Sequence, residues 1–256
     1  MARQRLDERV VKDGLAPSRS VAQRLILAGS VRVDGTRVDK AGTQIRDDQV
    51  VSVDQPPRFV SRGGDKLDNG ITSFAELMDE LGLQIDGVRA IDIGASTGGF
   101  TDCLLQRGAV SVIAVDVGYG QLHPTLRSDP RVTVMERTNA RHLTPDALPY
   151  APTMMVCDAS FIPLRTVLPA PIACMEPGFF GIVLCKPQFE AGRERLAAGG
   201  KKGVITDESM RANILDETLD SLRSLGLRVE GVEEASPRGP KGNVEYVVLV
   251  CDDRMV

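Results

Sequence analysis

The sequence predicts an α/β protein: a doubly wound, Rossmann-like sheet of seven mostly parallel strands, preceded by a small α+β module. Three observations carry this. From residue 88 onward short apolar runs alternate with stretches of helical period, the pattern of strand–helix–strand units. The first of these runs, AIDIGASTGGFTD at 90–102, stops on a small-residue turn and resumes as an amphipathic stretch. The first 54 residues, by contrast, show two short helical patterns feeding a hairpin signal.

In residues 1–54, Ser18 reads as a helix N-cap, Ala22, Leu25 and Ile26 form an apolar stripe, and Gly29 is the stop. Val31 and Val33 alternate with polar residues, Asp34-Gly35 is the dipeptide a type I′ turn wants, and QVVSV supplies a last strand. Residues 1–62 hold 12 Lys/Arg against 8 Asp/Glu, whereas the remaining 194 hold 19 against 27. The small module is therefore basic inside a chain of net charge −4. Arg3, Arg19, Arg24 and Arg32 are spread over its outer faces, a placement that suits phosphates and not base edges. Residues 55–62, with Pro56 and Pro57, read as a linker, and 63–256 as the larger domain.

That domain opens on a helix with apolar positions Leu67, Ile71, Phe74, Leu77 and Leu81, which puts Lys66 in its first turn. Strands are expected at 88–94, 111–117, 132–136, 153–158, 179–185, 227–233 and 245–251, and helices near 98–107, 163–175 and 207–225. The final pair of strands closes the sheet as a hairpin.

Composition bounds the function classes. No apolar run reaches the ~18–20 residues of a membrane span, and MARQRLDERV lacks a signal-peptide core. Five cysteines, with no C-x-x-C pair, read as reduced core thiols of a cytoplasmic protein. Two histidines give no metal signature.

Gly94-x-x-x-Gly98-Gly99 is neither the G-x-G-x-x-G of a pyrophosphate binder nor a P-loop, since no Lys-Ser/Thr follows. It suits a nucleoside carrying an amino-acid tail, which points to S-adenosylmethionine. Asp116 ends the second strand, 22 positions after Gly94, where a carboxylate can accept from ribose hydroxyls. Gly94, Ala95 and Gly98 would pass the methionine part, Ser96 or Thr97 would bind its carboxylate, and Val117 would pack on the adenine. Asp92, within the first strand, is counted with these contacts. Asn139 is placed either to read the adenine edge or to cap a helix. At the strand ends, Asp158 follows one buried strand, Lys186 and then Pro187 follow the next, and Glu245 starts the antiparallel strand. With Lys66 these four charges can converge on one crevice, where buried charges must be paired.

Lys66, Asp158, Lys186 and Glu245 match the Lys-Asp-Lys-Glu tetrad of FtsJ-like ribose 2′-O-methyltransferases, and Asp158 also borders the cofactor. The N-terminal pattern from RLD through VRVDG resembles the S4-type RNA-binding domain. With SRGGDKL, DIGASTGGFTD, DVGYGQL, ERTNAR, CDASFI, KPQFEAG and GNVEY, the whole chain resembles the TlyA (hemolysin A) family of ribosomal-RNA methyltransferases. The resemblance implies a class I methyltransferase fold and methyl transfer to the 2′-hydroxyl of cytidines in 16S or 23S rRNA. Val256 lies 11 residues past Glu245, as in the family's shorter members, which favours the 23S site. Lys186 is expected as base or hydroxyl-orienting group with Asp158 aligning it, while Lys66 and Glu245 position the ribose. Which lysine takes the proton stays open. Arg62 and a basic glycine-rich segment at 192–206, with Arg193, Arg195, Lys201 and Lys202, read as further RNA contacts, the segment either closing on RNA or simply a surface loop. Two other classes stand against this reading: a membrane-lytic protein, and an RNA-binding assembly factor with an inactive methyltransferase domain.

Overall fold

A computed structural model describes residues 3–54, 57–192, 195, 200–201, 204–239 and 242–253. The chain divides into two compact units, Met1–Pro57 and Arg58–Val256.

In the first unit β1 (Arg3–Arg5) runs into α1 (Leu6–Lys12), and α2 (Arg19–Leu27) follows with Ser18 accepting from the Val21 amide at 3.4 Å. The hairpin joins β2 (Val31–Val33) to β3 (Thr36–Arg37) through Asp34 and Gly35, both at positive φ (49° and 79°), as a type I′ turn requires. β4 (Gln44–Arg46) pairs with β1, and β5 (Val51–Val53) pairs with β2. The β1–β4 pair is absent from the sequence reading because RQR and QIR are mostly polar and lack the valine alternation that marks β2 and β5. Leu6, Val10, Ala22, Ile26, Val31 and Ile45 form the core. Asp7 is fully buried beside it and accepts from Arg5 (3.0 Å), Arg19 (2.9 Å) and Gln23 (2.8 Å). These donors, Arg5 foremost, hold its carboxyl well below the usual carboxylate range.

The second unit opens with α3 (Arg62–Ser73) and α4 (Ala75–Glu80). Alternation then runs β6 (Arg89–Ile93), α5 (Gly99–Gln106), β7 (Ser111–Val115), α6 (Pro124–Arg127), β8 (Val132–Met135) and β9 (Met154–Cys157). It continues through α7 (Leu164–Val167), α8 (Pro169–Ala173), β10 (Phe180–Cys185) and α9 (Pro187–Glu190). The short pair β11 (Gly200–Lys201) and β12 (Val204–Ile205), helix α10 (Glu208–Ser224), and strands β13 (Leu227–Glu234) and β14 (Tyr246–Asp252) complete it. The seven-stranded sheet has the order β13-β14-β10-β9-β6-β7-β8, and β14 alone runs against its neighbours.

Strand residues alternate between two apolar layers. Ala90, Val112, Val156, Leu184 and Leu249 face Leu67, Ile71, Phe100 and Leu104 of α3 and α5. Ile91, Ile93, Ile113, Met155, Val183 and Val248 face the layer containing Leu164, Ile172 and Leu222. All five cysteines are free and buried, and burial pushes the Cys103 and Cys157 thiols up to about 12. No described helix is long and apolar enough to cross a membrane.

Several elements differ from expectation, each for a local reason. The linker read at 55–62 is shortened at its far end, since Phe59 is 3% exposed and packs into the core of the second unit. It lies against Gly64 so closely that no Cβ would fit there, so Gly63-Gly64 join α3 and Lys66 falls in the second turn. The helix expected through Leu81 breaks at Phe74, and its apolar spacing continues across the break because both halves share the buried face. Pro169, without an amide hydrogen, divides the helix read at 163–175. Inside the segment read as a loop at 192–206, β11 and β12 form a two-residue antiparallel ladder.

Candidate active site

Two cavities open beside the carboxyl ends of β6, β7, β9 and β10, at the switch point where strand order reverses between β6 and β9. The larger, about 510 Å³, is lined by Asp116, Val117, Asn139 and Phe161 among others. The smaller, about 290 Å³, is lined by Arg62, Lys66, Ala95, Thr97 and Lys186 among others. They share Gly94, Ser96, Asp158 and Ser160.

The sequence explains the loop between β6 and α5. Gly94 has φ +82°, and a Cβ there would lie 3.0 Å from the Asp158 carbonyl oxygen, so the loop can lie on the β9 loop only with glycine present. Ser96 is also left-handed (φ 50°), and its amide donates to Asp116 Oδ2 at 2.8 Å. Asp116 takes a second amide, from Gly118, at 2.6 Å on Oδ1, and thereby braces two loops while bordering the larger cavity. Asn139 borders the same cavity and also caps the turn Ala140–His142, accepting from the Arg141 amide at 3.1 Å.

Two residues expected at the cofactor stand elsewhere. Asp92 shares the face of Ala90, so its side chain enters the α5 layer, where Oδ2 accepts from the Thr101 amide (3.0 Å) and hydroxyl (2.7 Å). Its Oδ1 has no hydrogen-bond partner among the described residues, and burial pushes the carboxyl up to about 7. Gly98 turns away towards Leu122 and Leu126, and Gly99 borders the smaller cavity instead.

The four charged residues form two ion pairs. Lys186 Nζ lies 2.5 Å from Asp158 Oδ1 and donates to Ser160 Oγ at 2.9 Å. Lys66 Nζ lies 2.5 Å from Glu245 Oε2, while Glu245 Oε1 accepts from Gln188 Nε2 at 3.1 Å. Topology makes this possible: Asp158 and Lys186 follow parallel strands, Glu245 precedes the reversed strand, and α3 carries Lys66 to the same edge. Ser160, Phe161 and Gln188 were not singled out in the sequence. Phe161 is 89% exposed, at φ 65°, with its ring 4.8 Å from that of Phe189. A hydrophobic residue in a CDASFI run gives no hint of that exposure.

The expected RNA contacts divide. Arg19 serves buried Asp7, Arg32 pairs with Asp54 at 2.9 Å, and Arg195 pairs with Glu217. Arg3, Arg24 and Arg62 are exposed and make no ion pair among the described residues. Lys201 lies in β11, and Arg193 and Lys202 lie outside the described residues.

Residues 59–251 match the model of the FtsJ-like methyltransferases, and residues 4–51 that of the S4 domain. The chain is 44% identical to the 16S/23S rRNA (cytidine-2′-O)-methyltransferase TlyA of Mycobacterium tuberculosis, over 95% of this chain and 88% of that protein. It is 38% identical to hemolysin A of Brachyspira hyodysenteriae, over 95% and 98% of the two chains. A solved Streptococcus thermophilus chain with a provisional hemolysin name superposes with a TM-score of 0.73 at 36% identity, covering 99% of this chain and 90% of its own. By fold, site topology and sequence, this protein belongs to the FtsJ-like methyltransferases, in the TlyA family that joins such a domain to an N-terminal S4 domain.

Proposed function

We propose that this protein transfers a methyl group from S-adenosylmethionine to the 2′-hydroxyl of a cytidine ribose in ribosomal RNA. The observation that carries the reading is the pair of ion pairs, Lys186–Asp158 and Lys66–Glu245, with both lysines bordering one cavity beside the Gly94–Ser96 loop.

The residues fit the cofactor. The larger cavity is of nucleoside size and offers Asp116 for ribose hydroxyls, with Val117 and Asn139 for the adenine. Ala95, Ser96 and Thr97 lead from it to the smaller cavity and suit the amino-acid tail. When bound, S-adenosylmethionine supplies an electrophilic methyl group on a sulfonium. The chain must hold a ribose hydroxyl in line with it and take its proton as the new bond forms. Lys186 is the group for this once it has released its ammonium proton to solvent through the cavity: as the neutral amine it can exchange its contact to exposed Ser160 for the ribose hydroxyl and accept that proton, while Asp158 keeps it aimed. Lys66 and Glu245 hold the ribose from the other side. Phe161, bordering the larger cavity with most of its ring exposed, offers a stacking face to a base.

The S4 unit and Arg62 supply phosphate contacts, and the protein works where ribosomes are assembled, in the cytoplasm. The M. tuberculosis relative is named for both 16S and 23S rRNA, and a Campylobacter jejuni relative, 33% identical over 73% of this chain, for 23S alone. Both subunits are therefore the test. Purified protein is incubated with S-adenosylmethionine and subunits from a strain lacking the activity, and the RNA is mapped by mass spectrometry. A 2′-O-methylcytidine at a defined position is expected. Cofactor binding without modification of either subunit would leave the reading untenable.

A further inference from the structure

We propose that Gln188 is a positioning residue for methyl transfer, fixing the Glu245 carboxylate and through it the Lys66 ammonium, with Gly239 closing the carboxylate from behind. This rests on the function proposed above and assigns a part to a residue outside the tetrad.

Gln188 lies in the first turn of α9, two residues after Lys186, and is 7% exposed. Its amide nitrogen donates to Glu245 Oε1, while Lys66 takes Oε2, so each oxygen of a carboxylate that is 1% exposed has its own donor. Gly239, on the β13–β14 connection, lies so close to both carboxylate oxygens that a Cβ there would collide with them. The carboxylate is thus held on both oxygens and blocked from a third side.

The residue type is informative. An arginine or lysine at 188 would compete with Lys66 for Glu245 and change a balance of two ammonium groups against two carboxylates. A carboxylate would repel Glu245, and an apolar side chain would leave Oε1 buried without this donor. Glutamine adds a hydrogen bond and no charge. Because α9 also follows directly on Lys186, one four-residue helix sets the spacing between the two ion pairs.

Replacing Gln188 by glutamate makes this testable, since a neutral carboxyl donates as the amide does and an ionised one does not. The charged and titratable groups near the position are Lys186 at the head of α9, Glu245, Lys66 from α3, Glu190 later in α9 and Cys185 from β10, while Arg211 of α10 donates to the hydroxyl of Tyr246, next to Glu245. For Gln188→Met, kcat on rRNA should fall about ten- to a hundredfold with KM for S-adenosylmethionine unchanged. For Gln188→Glu, the ratio of its kcat to that of wild type should rise as pH falls across about pH 6 to 9. A filler role would lower kcat by a ratio independent of pH. Should either variant fail to fold, Gly239→Ala pushes on the same carboxylate without removing a polar group, and the same loss of kcat is expected. A flat ratio for folded Gln188→Glu, or wild-type kcat in folded Gln188→Met or Gly239→Ala, overturns the inference while leaving the function intact. Wild-type protein that binds the cofactor but methylates no rRNA overturns both.

Discussion

Lys186–Asp158 and Lys66–Glu245 are ion pairs of the same chemistry and the same 2.5 Å separation, set in different surroundings. The Asp158 side chain is 24% exposed, and its lysine also bonds the exposed hydroxyl of Ser160. The Glu245 side chain is 1% exposed, and its free oxygen is taken by buried Gln188. A pair that can trade a partner with a ligand is suited to meet the reacting hydroxyl; a pair whose carboxylate is enclosed is suited to hold the geometry of the lysine that borders the cavity. The difference lies in the shells around the pairs, and it separates what each contributes to rate from what it contributes to stability.

The largest expected effect tests the outer pair. Lys186→Ala should lower methyl transfer by about 10²- to 10⁴-fold, the range of a positioned proton-transfer group, while the dissociation constant for S-adenosylmethionine stays within a few fold. Calorimetry and single-turnover assays separate the two quantities. Substantial turnover by the variant would remove Lys186 from the chemistry and erase the distinction between the pairs.

The inner pair should show itself in stability. Glu245→Ala leaves the Lys66 ammonium, 7% exposed, without its counter-charge, at a cost of about 3–5 kcal/mol. Lys186 is just as buried and borders the same cavity, but Asp158→Ala removes a carboxylate that is already 24% exposed and leaves the Ser160 hydroxyl as a partner for the ammonium, so its cost should be smaller. Chemical denaturation of both variants makes the comparison. Equal losses would mean that the two pairs are enclosed alike in solution.

A further variant leaves both pairs alone. Asp116→Ala removes a charged acceptor from the larger cavity and unbraces the Ser96 and Gly118 amides. Cofactor affinity should fall by one to two decades, from a loss of about 1.5–3 kcal/mol, with rRNA binding nearly unchanged. An unaltered dissociation constant would place the nucleoside elsewhere.

Much of this arrangement was legible in the sequence because it depends on local pattern and strand order. Buried strands ending in Asp158 and Lys186, and a reversed last strand beginning after Glu245, put the three at one sheet edge whatever the side-chain packing. The turn at Asp34-Gly35 and the cap at Ser18 are likewise local. What stayed hidden depends on contacts between distant segments. Arg19 is an interior partner because Asp7 is buried against it, and Gly98 faces α6 because Leu122 and Leu126 fill the space beside it. Gln188 gains meaning from a carboxylate 57 positions away. Asp92 is the case nearest to legibility: strand alternation puts it on the face of Ala90, opposite Ile91 and Ile93, and so under α5.

Asp92 also extends the comparison to a buried carboxyl with no cation, and the smallest effect is expected there. Among the described residues its only donors are the amide and hydroxyl of Thr101, Oδ1 has no partner, and the neighbouring charges Asp158 and Asp116 have its own sign. Burial foremost raises the carboxyl from 3.8 to about 7, so the folded protein keeps this proton over a range where the unfolded chain has lost it. The stability linked to that proton is present below about pH 4, declines as pH rises towards 7, and is gone above it. Glu190, raised by burial to about 7, adds a decline of the same sign. Asp92→Asn keeps an acceptor for Thr101, replaces the orphan oxygen by an amide nitrogen, and cannot ionise. The variant should therefore lose stability less steeply between about pH 4 and 7 and end more stable than wild type at pH 8 by about 1–2 kcal/mol, inside the ceiling of about 4 kcal/mol set by the shift. Urea denaturation across that range, with slopes compared, is the measurement. Parallel curves for the two proteins would show that Asp92 is ionised in the fold at neutral pH, with water or a cation reaching Oδ1.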